Sequence, residues 1–218
     1  MTRTEIAHII DHTLLRANAT QDEIALLCAQ AAEHGFAGVS INPAWVRYCA
    51  GQLAGAGVAV NPTIGFPLGA NTAHVKVEEV RDAIHNGATE LDMVINVGAL
   101  CSGLHQYVER EIAAIVTAAG GLPVKVILET GYLTDAQKRA VCEMAERSGA
   151  AFVKTSTGFG KAGATVEDIA LMRETVGDRL GVKAAGGIRT YGQAMAMVSA
   201  GATRIGSSAS LDILADAH

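Results

Sequence analysis

Ser148-Gly149-Ala150-Ala151-Phe152-Val153-Lys154-Thr155 carries the pattern from which the fold can be read. A helical stretch ends at a glycine, a small residue follows, and a short β-rich run then holds a lysine where a buried strand is expected. Glycine just past a helix terminus tolerates the left-handed backbone that ends the helix. The same phrase recurs along the chain. His34-Gly35-Phe36-Ala37 precedes Val39-Ser40-Ile41, and Ala56-Gly57 precedes Val58-Ala59-Val60. Asn86-Gly87-Ala88 leads into Glu90-Leu91-Asp92-Met93-Val94-Ile95, and Ala200-Gly201-Ala202 into Arg204-Ile205-Gly206. A unit repeating every ~25–30 residues reads as successive βα units of a parallel sheet.

Counting these units gives eight expected strands, near residues 10–15, 38–42, 58–64, 90–96, 123–129, 151–156, 181–185 and 203–206. Amphipathic segments lie between them, including Asp22–Glu33, Thr72–His85, Tyr107–Ala119, Thr134–Arg147, Thr165–Val176 and Tyr191–Ala200. Eight strands with intervening helices favour an α/β fold of the closed (β/α)8 TIM-barrel type over an open sheet. The 218 residues lie at the short end of that fold's range of about 200 to over 400. No Pro/Ser-rich linker, charge run or composition shift divides the chain, so residues 1–218 are expected to form one domain.

Side chains alternate between the two faces of a strand. In 90–96, Asp92, Val94 and Asn96 share one face and Leu91, Met93 and Ile95 the other. Lys125, Ile127 and Glu129 oppose Val124, Val126 and Leu128; Lys154 and Ser156 oppose Val153; Lys183 opposes Val182; Ser40 and Asn42 oppose Val39 and Ile41. The apolar faces can pack under helices, which leaves the polar faces pointing into the barrel. An interior carrying Asp92, Lys125, Lys154 and Lys183 is not an aliphatic plug, and reads as a site.

Composition narrows the function classes. Half of the residues are hydrophobic but only 4% are aromatic, so the core is expected to be built from Ala, Val, Ile and Leu. The net charge of −5, with no basic patch, argues against a nucleic-acid partner. No apolar run approaches the roughly 20 residues that span a bilayer, and Met1-Thr2-Arg3-Thr4-Glu5-Ile6 lacks the apolar stretch of a signal peptide. Cys28, Cys49, Cys101 and Cys142 are far apart in sequence and read as buried or half-buried free thiols of a cytoplasmic protein. Met195, Met197 and the leucines along 24–27 read as core.

The two strand lysines carry the chemistry. Desolvating an ammonium is costly, and two neighbouring amines raise each other's cost of protonation. The result is a neutral, nucleophilic amine near neutral pH, as Schiff-base chemistry requires. Attack on a carbonyl gives a protonated imine, an electron sink that lets a C–C bond break or form, with a carboxylate such as Asp92 to shuttle protons. A purely structural reading instead pairs Lys154 and Lys183 with Asp92 and Glu129 as buried ion pairs. Ala184-Ala185-Gly186-Gly187-Ile188-Arg189-Thr190 and Ile205-Gly206-Ser207-Ser208-Ala209-Ser210 follow the seventh and eighth strands and run into helices, the second a short one. Barrels often bind phosphate at these two loops. Thr157-Gly158-Phe159-Gly160-Lys161 lacks the spacing of a Walker loop. His8 and His12 have helical metal-pair spacing, but His12 falls in the first strand, which breaks the shared face.

Six segments, in order, carry a family resemblance: Asp11–Leu15, Val58–Gly69, Glu90–Gly98, Val124–Thr130, Phe152–Phe159 and Val182–Thr190. In them the chain resembles the 2-deoxyribose-5-phosphate aldolases over nearly its full length. The resemblance implies a lyase that reversibly cleaves 2-deoxy-D-ribose 5-phosphate to D-glyceraldehyde 3-phosphate and acetaldehyde, with no cofactor and no metal. It implies Lys154 as the Schiff-base lysine, Lys183 as the lysine that lowers its pKa and joins the proton relay, and Asp92 as the relay carboxylate acting through water. Gly158, Gly186, Gly187, Gly206 and Ser208 match positions at the substrate and its phosphate.

The chain departs from the family pattern in places. Many members carry Cys where Ser40 stands, without consequence for activity. Some follow T-S-T-G with a phosphate-gripping Lys, where Phe159 stands here, which shifts the grip toward backbone N–H groups and Arg189. Some end in a mobile tail whose last tyrosine reaches the site; Asp212–His218 holds no tyrosine. Two rivals stay open: another Schiff-base aldolase or transaldolase with a ketone donor, and a non-catalytic phosphosugar-binding barrel. The expected partners are a small sugar phosphate and acetaldehyde, with no nucleic acid and no membrane. Apolar helix faces are compatible with a homodimer.

Overall fold

The computed structural model describes residues 1–217. Eight parallel strands run in sequence order: β1 (Ile10–Leu14), β2 (Gly38–Ile41), β3 (Ala59–Ile64), β4 (Leu91–Val94), β5 (Val124–Ile127), β6 (Phe152–Lys154), β7 (Gly181–Ala185) and β8 (Arg204–Ser207). Each pairs with the next, and β8 returns to pair with β1, closing a (β/α)8 barrel. Every expected strand is present, with no end displaced by more than two residues. Past the assigned ends of β4, β5 and β6, backbone bonds continue the ladder, as in Ile95 N–H to Ile127 O (3.2 Å) and Leu128 N–H to Lys154 O (2.9 Å).

Six helices match the expected segments: α2 (Gln21–His34), α4 (Ala73–His85), α6 (His105–Ala118), α7 (Asp135–Arg147), α8 (Val166–Val176) and α9 (Tyr191–Ser199), and the short α10 (Ser210–Ala215) follows β8. Three more, α1 (Arg3–Ala7), α3 (Val46–Gln52) and α5 (Val97–Cys101), have no counterpart in the sequence reading. Each is under two turns, too short for helical periodicity to register. Threonines start many of the helices. Thr2, Thr20, Thr134 and Thr190 form capping boxes with Glu5, Glu23, Gln137 and Gln193. The recurring glycines end them, with positive φ at Gly35, Gly57, Gly87, Gly149 and Gly201.

The alternation expected along the strands holds. Leu91, Met93, Val124, Val126, Val153, Val182 and Ala184 join the apolar shell between strands and helices. Asp92, Lys125, Lys154 and Lys183 are buried on the opposite face. Register then sets neighbours: Asp92 lies opposite both Thr63 and Lys125, and Lys154 opposite Lys183.

Three expectations are corrected. Leu26 is 57% exposed, because α2 turns Ile24, Leu27, Cys28 and Ala31 inward and leaves Leu26 on the outer face. Cys28, Cys49 and Cys142 are buried but Cys101 is exposed, since Leu100 takes the buried position of α5. Asn96 leaves the strand face and caps α5, its Oδ1 accepting from Ala99 N–H at 2.9 Å.

A second buried ion pair braces the rim between β3 and β4. Lys76 of α4 is fully buried and donates to Gly69 O (2.8 Å), Val94 O (2.8 Å) and Glu111 Oε1 (2.7 Å). The other Glu111 oxygen accepts from Asn96 N–H at 2.9 Å. Gly69, at φ 65, presses so closely on β4 that a Cβ there would lie 1.9 Å from Ile95 O. Removing one partner of such a pair strands a buried charge, which costs about 3–5 kcal/mol, whereas replacing both is far milder. Lys76→Met should therefore lower stability by about that amount in urea unfolding. Lys76→Met with Glu111→Gln should recover more than half of the loss, since the amide can still accept from Asn96 N–H.

Candidate active site

A cavity of about 400 Å³ opens at the C-terminal mouth of the barrel. Its lining includes Lys154, Gly158, Gly186, Gly187, Gly206 and Ser208, all six singled out in the sequence. Consecutive positive φ angles at Gly186 (91°) and Gly187 (81°) turn the chain out of β7, and Gly186 and Gly158 approach each other closely there. Phe159 and Arg189 also line the cavity, together with Arg16, which the sequence reading did not single out. Arg16 follows β1 and is paired with Glu23.

Lys154 is the cavity's amine, and Asp92 and Lys183 lie beneath it, fully buried. Lys154 Nζ donates to Asp92 Oδ2 at 2.6 Å, and Lys183 Nζ donates to the same oxygen at 2.8 Å. The structural reading of the lysines as ion pairs and the chemical reading as a perturbed amine thus describe one arrangement. Glu129, however, does not pair with a lysine. It takes a left-handed backbone conformation (φ 57), and its carboxylate accepts from the N–H and hydroxyl of Thr157. It braces the loop after β6 instead.

Lys125 does not line the cavity. It sits deeper, 2.5 Å from Glu90 Oε2 and 3.2 Å from Asp92 Oδ1. Asp11, Glu90 and Arg204 complete the interior network and were missed. Asp11 accepts from Lys183 and from Arg204, the latter at 2.7 Å, and Arg204 reaches Glu90 at 3.3 Å. Alternation held the signal for two of them, since Asp11 shares a strand face with Thr13, and Glu90 with Asp92. His12 takes the other face, bonded to Ser210 Oγ (3.0 Å) and Gln30 Oε1 (2.9 Å), while His8 closes α1, so the two histidines form no metal pair.

Burial and charge set the protonation states. Burial lowers the Lys154 amine to about 8, with Asp92 opposing the shift and Lys183 reinforcing it. Burial would raise the Asp92 carboxyl, but Lys154, Lys183 and Lys125 hold it well below the usual carboxylate range. Asp11 is held at about 2, burial being outweighed by Lys183, Lys125 and Arg204. Burial also works against charge on Lys125, yet Asp92, Asp11 and Glu90 raise its pKa. For Glu129 burial prevails over the Thr157 bonds and raises it. Burial also lowers the amine of Lys76, but of the two amines pushed toward neutrality only Lys154 faces the cavity.

A profile of the DeoC/LacD family aldolases matches residues 6–216. The chain belongs to this family. It is 56% identical over 205 residues to the deoxyribose-phosphate aldolase of Streptococcus sanguinis, covering 94% of this chain and 93% of that one. It is 56% identical over 210 residues to the deoxyribose-phosphate aldolase of Listeria welshimeri, covering 96% and 94%. Among solved structures, the tetrameric deoxyribose phosphate aldolase of Aeropyrum pernix superposes with a TM-score of 0.92 at 34% identity, over 98% of this chain and 91% of that one. No helix among the described residues is long and apolar enough to cross a membrane. The tail expectation, Asp212–His218, ends at His218, which lies outside the described residues; Asp212–Ala215 belong to α10.

The depressed Lys154 amine has a consequence for this aldolase's stability. Between pH 8 and 10.5 the unfolded chain still holds a proton that the folded chain has lost, so stability rises with pH through that window. The burden is full below about 8 and gone above the unfolded value. Lys154→Met should therefore stabilise the fold at pH 7 by about 1–3 kcal/mol. That gain should shrink as the pH approaches 10, read by urea unfolding at several pH values.

Proposed function

We propose that this enzyme reversibly cleaves 2-deoxy-D-ribose 5-phosphate to D-glyceraldehyde 3-phosphate and acetaldehyde through a Schiff base on Lys154. One observation carries the reading: of the buried amines in the interior network, Lys154 is the one that lines the cavity, and it shares a carboxylate oxygen with Lys183. A neutral amine attacks the substrate aldehyde, and loss of water leaves a protonated imine. Removal of the proton from the C3 hydroxyl breaks the C2–C3 bond, whose electrons enter the imine to give an enamine. The phosphorylated aldehyde departs, the enamine carbon takes a proton, and water releases acetaldehyde. Asp92 is positioned by its contacts with Lys154 and Lys183 to pass protons between them and water.

Polar side chains on the inner face support recognition of the sugar. Ser40 Oγ, Asn61 Oδ1, Thr63 Oγ1 and Ser156 Oγ are buried without a protein partner among the described residues, so they are available to hydroxyls or water. We assign the phosphate to the backbone of Gly187, Gly206 and Ser208 and to the cavity's arginines, Arg189 and Arg16. No metal enters this proposal, because the imine itself is the electron sink. The enzyme is further proposed to be a single-domain, cytoplasmic homodimer, in keeping with its free cysteines and the exposed Leu26 on α2 and Leu104 at the start of α6.

Borohydride reduction in the presence of 2-deoxyribose 5-phosphate, followed by peptide mapping, should leave a substrate-dependent adduct on Lys154. An adduct on Lys183 or Lys125 would overturn the role assignment, and no adduct in a protein that binds the sugar phosphate would support the non-catalytic reading. Lys154→Ala should abolish turnover in a folded protein. EDTA should leave the rate unchanged, whereas a loss restored by zinc would contradict a metal-free mechanism. Lys183→Leu should move the rate profile to higher pH, because it removes a cation that helps depress Lys154 and leaves Asp92 more fully to it.

A further inference from the structure

The interior ion network runs from the cavity floor toward the opposite end of the barrel and closes on itself. Lys154 meets Asp92, Asp92 meets Lys183 and Lys125, Lys183 meets Asp11, Asp11 meets Arg204, Arg204 meets Glu90, and Glu90 meets Lys125. Its members are four cationic side chains, Lys125, Lys154, Lys183 and Arg204, and three carboxylates, Asp11, Glu90 and Asp92. The side chains of Asp11, Asp92, Lys125 and Lys183 have no solvent exposure, Lys154 has 3%, and Glu90 and Arg204 have 14% each. One positive charge is in surplus where water and salt screen poorly.

The surplus is relieved where a proton is held least well. Lys183 contacts two carboxylates, Arg204 two and Lys125 three, whereas Lys154 contacts one. Arg204 cannot give up its proton under ordinary conditions. Its guanidinium spans Asp11 and Glu90 and lies over the Phe152 ring at 5.5 Å, which holds it in place.

We propose that Arg204 is a remote positioning residue that sets the protonation of Lys154 by charge balance. By neutralising Asp11 and Glu90 it keeps one cation in surplus and makes Lys154 the member that yields its proton. The proposal rests on the Schiff-base reading of Lys154. Other charged groups face Lys154 too. Glu129 lies two residues past β5, but burial favours its neutral form and Thr157 holds its oxygens. Arg16 and Arg189 stand at the exposed mouth of the cavity, where solvent screens them. β2 and β3 present only Ser40, Asn61 and Thr63 to the buried interior.

The test is the rate of adduct formation on Lys154 with acetaldehyde and cyanoborohydride, followed by mass spectrometry from pH 6 to 10. Acetaldehyde carries no titrating group, and the reagent's own pH dependence is common to every variant. Arg204→Met should raise the midpoint by about half a unit or more, and Glu90→Gln should lower it by a similar amount. The double variant has the parent's surplus of one cation, so its midpoint should return to the parent's. Arg204→Lys, which keeps the charge, should stay near the parent. Structural damage would instead add in the double variant, and that result, unmoved midpoints, or single shifts of the same sign would overturn the proposal. If Arg204→Met does not fold, Glu90→Gln decides alone: a midpoint unmoved or raised overturns it. Absence of any Lys154 adduct in the parent would overturn the Schiff-base reading itself, and the proposal with it.

Discussion

One carboxylate, Asp92, sits where three lysines converge inside a closed barrel, with contacts of 2.6, 2.8 and 3.2 Å. A barrel of this kind is ordinarily filled by branched aliphatic side chains. Here charge replaces them, so each ionic group must find a partner or change its protonation state. Asp92 holds Lys183 and Lys125 in place and leaves Lys154 with a single carboxylate contact and an opening onto the cavity. Geometry, protonation and reactivity at the mouth therefore trace back to how the charges beneath it are shared.

The protein holds a second buried lysine–carboxylate pair, and the contrast is instructive. Lys76 and Glu111 are as completely buried as Lys183 and Asp92. Lys76 spends all of its donors on Glu111 and two backbone oxygens and does not line the cavity. Its work is architectural, fastening the loop at Gly69 and the end of β4. Burial alone does not make a lysine nucleophilic. What distinguishes Lys154 is a cationic surplus around it together with access to substrate.

Much of this was legible in the chain because strands alternate. Period-two patterning placed Lys154, Lys183, Lys125 and Asp92 on the inner face, and glycines after the seventh and eighth strands marked the mouth of the cavity. Pairings were not legible. Lys183 and Asp11 lie far apart in sequence and meet because the barrel closes β8 onto β1. Glu129 looked like a partner for the lysines by alternation, but its left-handed backbone swings it to Thr157. Lys76 was hidden because a lysine in an amphipathic helix reads as surface, although it shares the inward stripe with Val80 and Ala83. Helical periodicity also passed over α3 and α5, which are too short to show it.

The account turns on Lys154 being the amine that loses its proton near neutrality in the resting enzyme. A ¹⁵N NMR titration of the lysine side-chain amines, with the Lys154 signal assigned by its absence in Lys154→Met, reads this directly. The account predicts a Lys154 midpoint near pH 8. A Lys154 amine that stays charged up to the ordinary lysine range would contradict it.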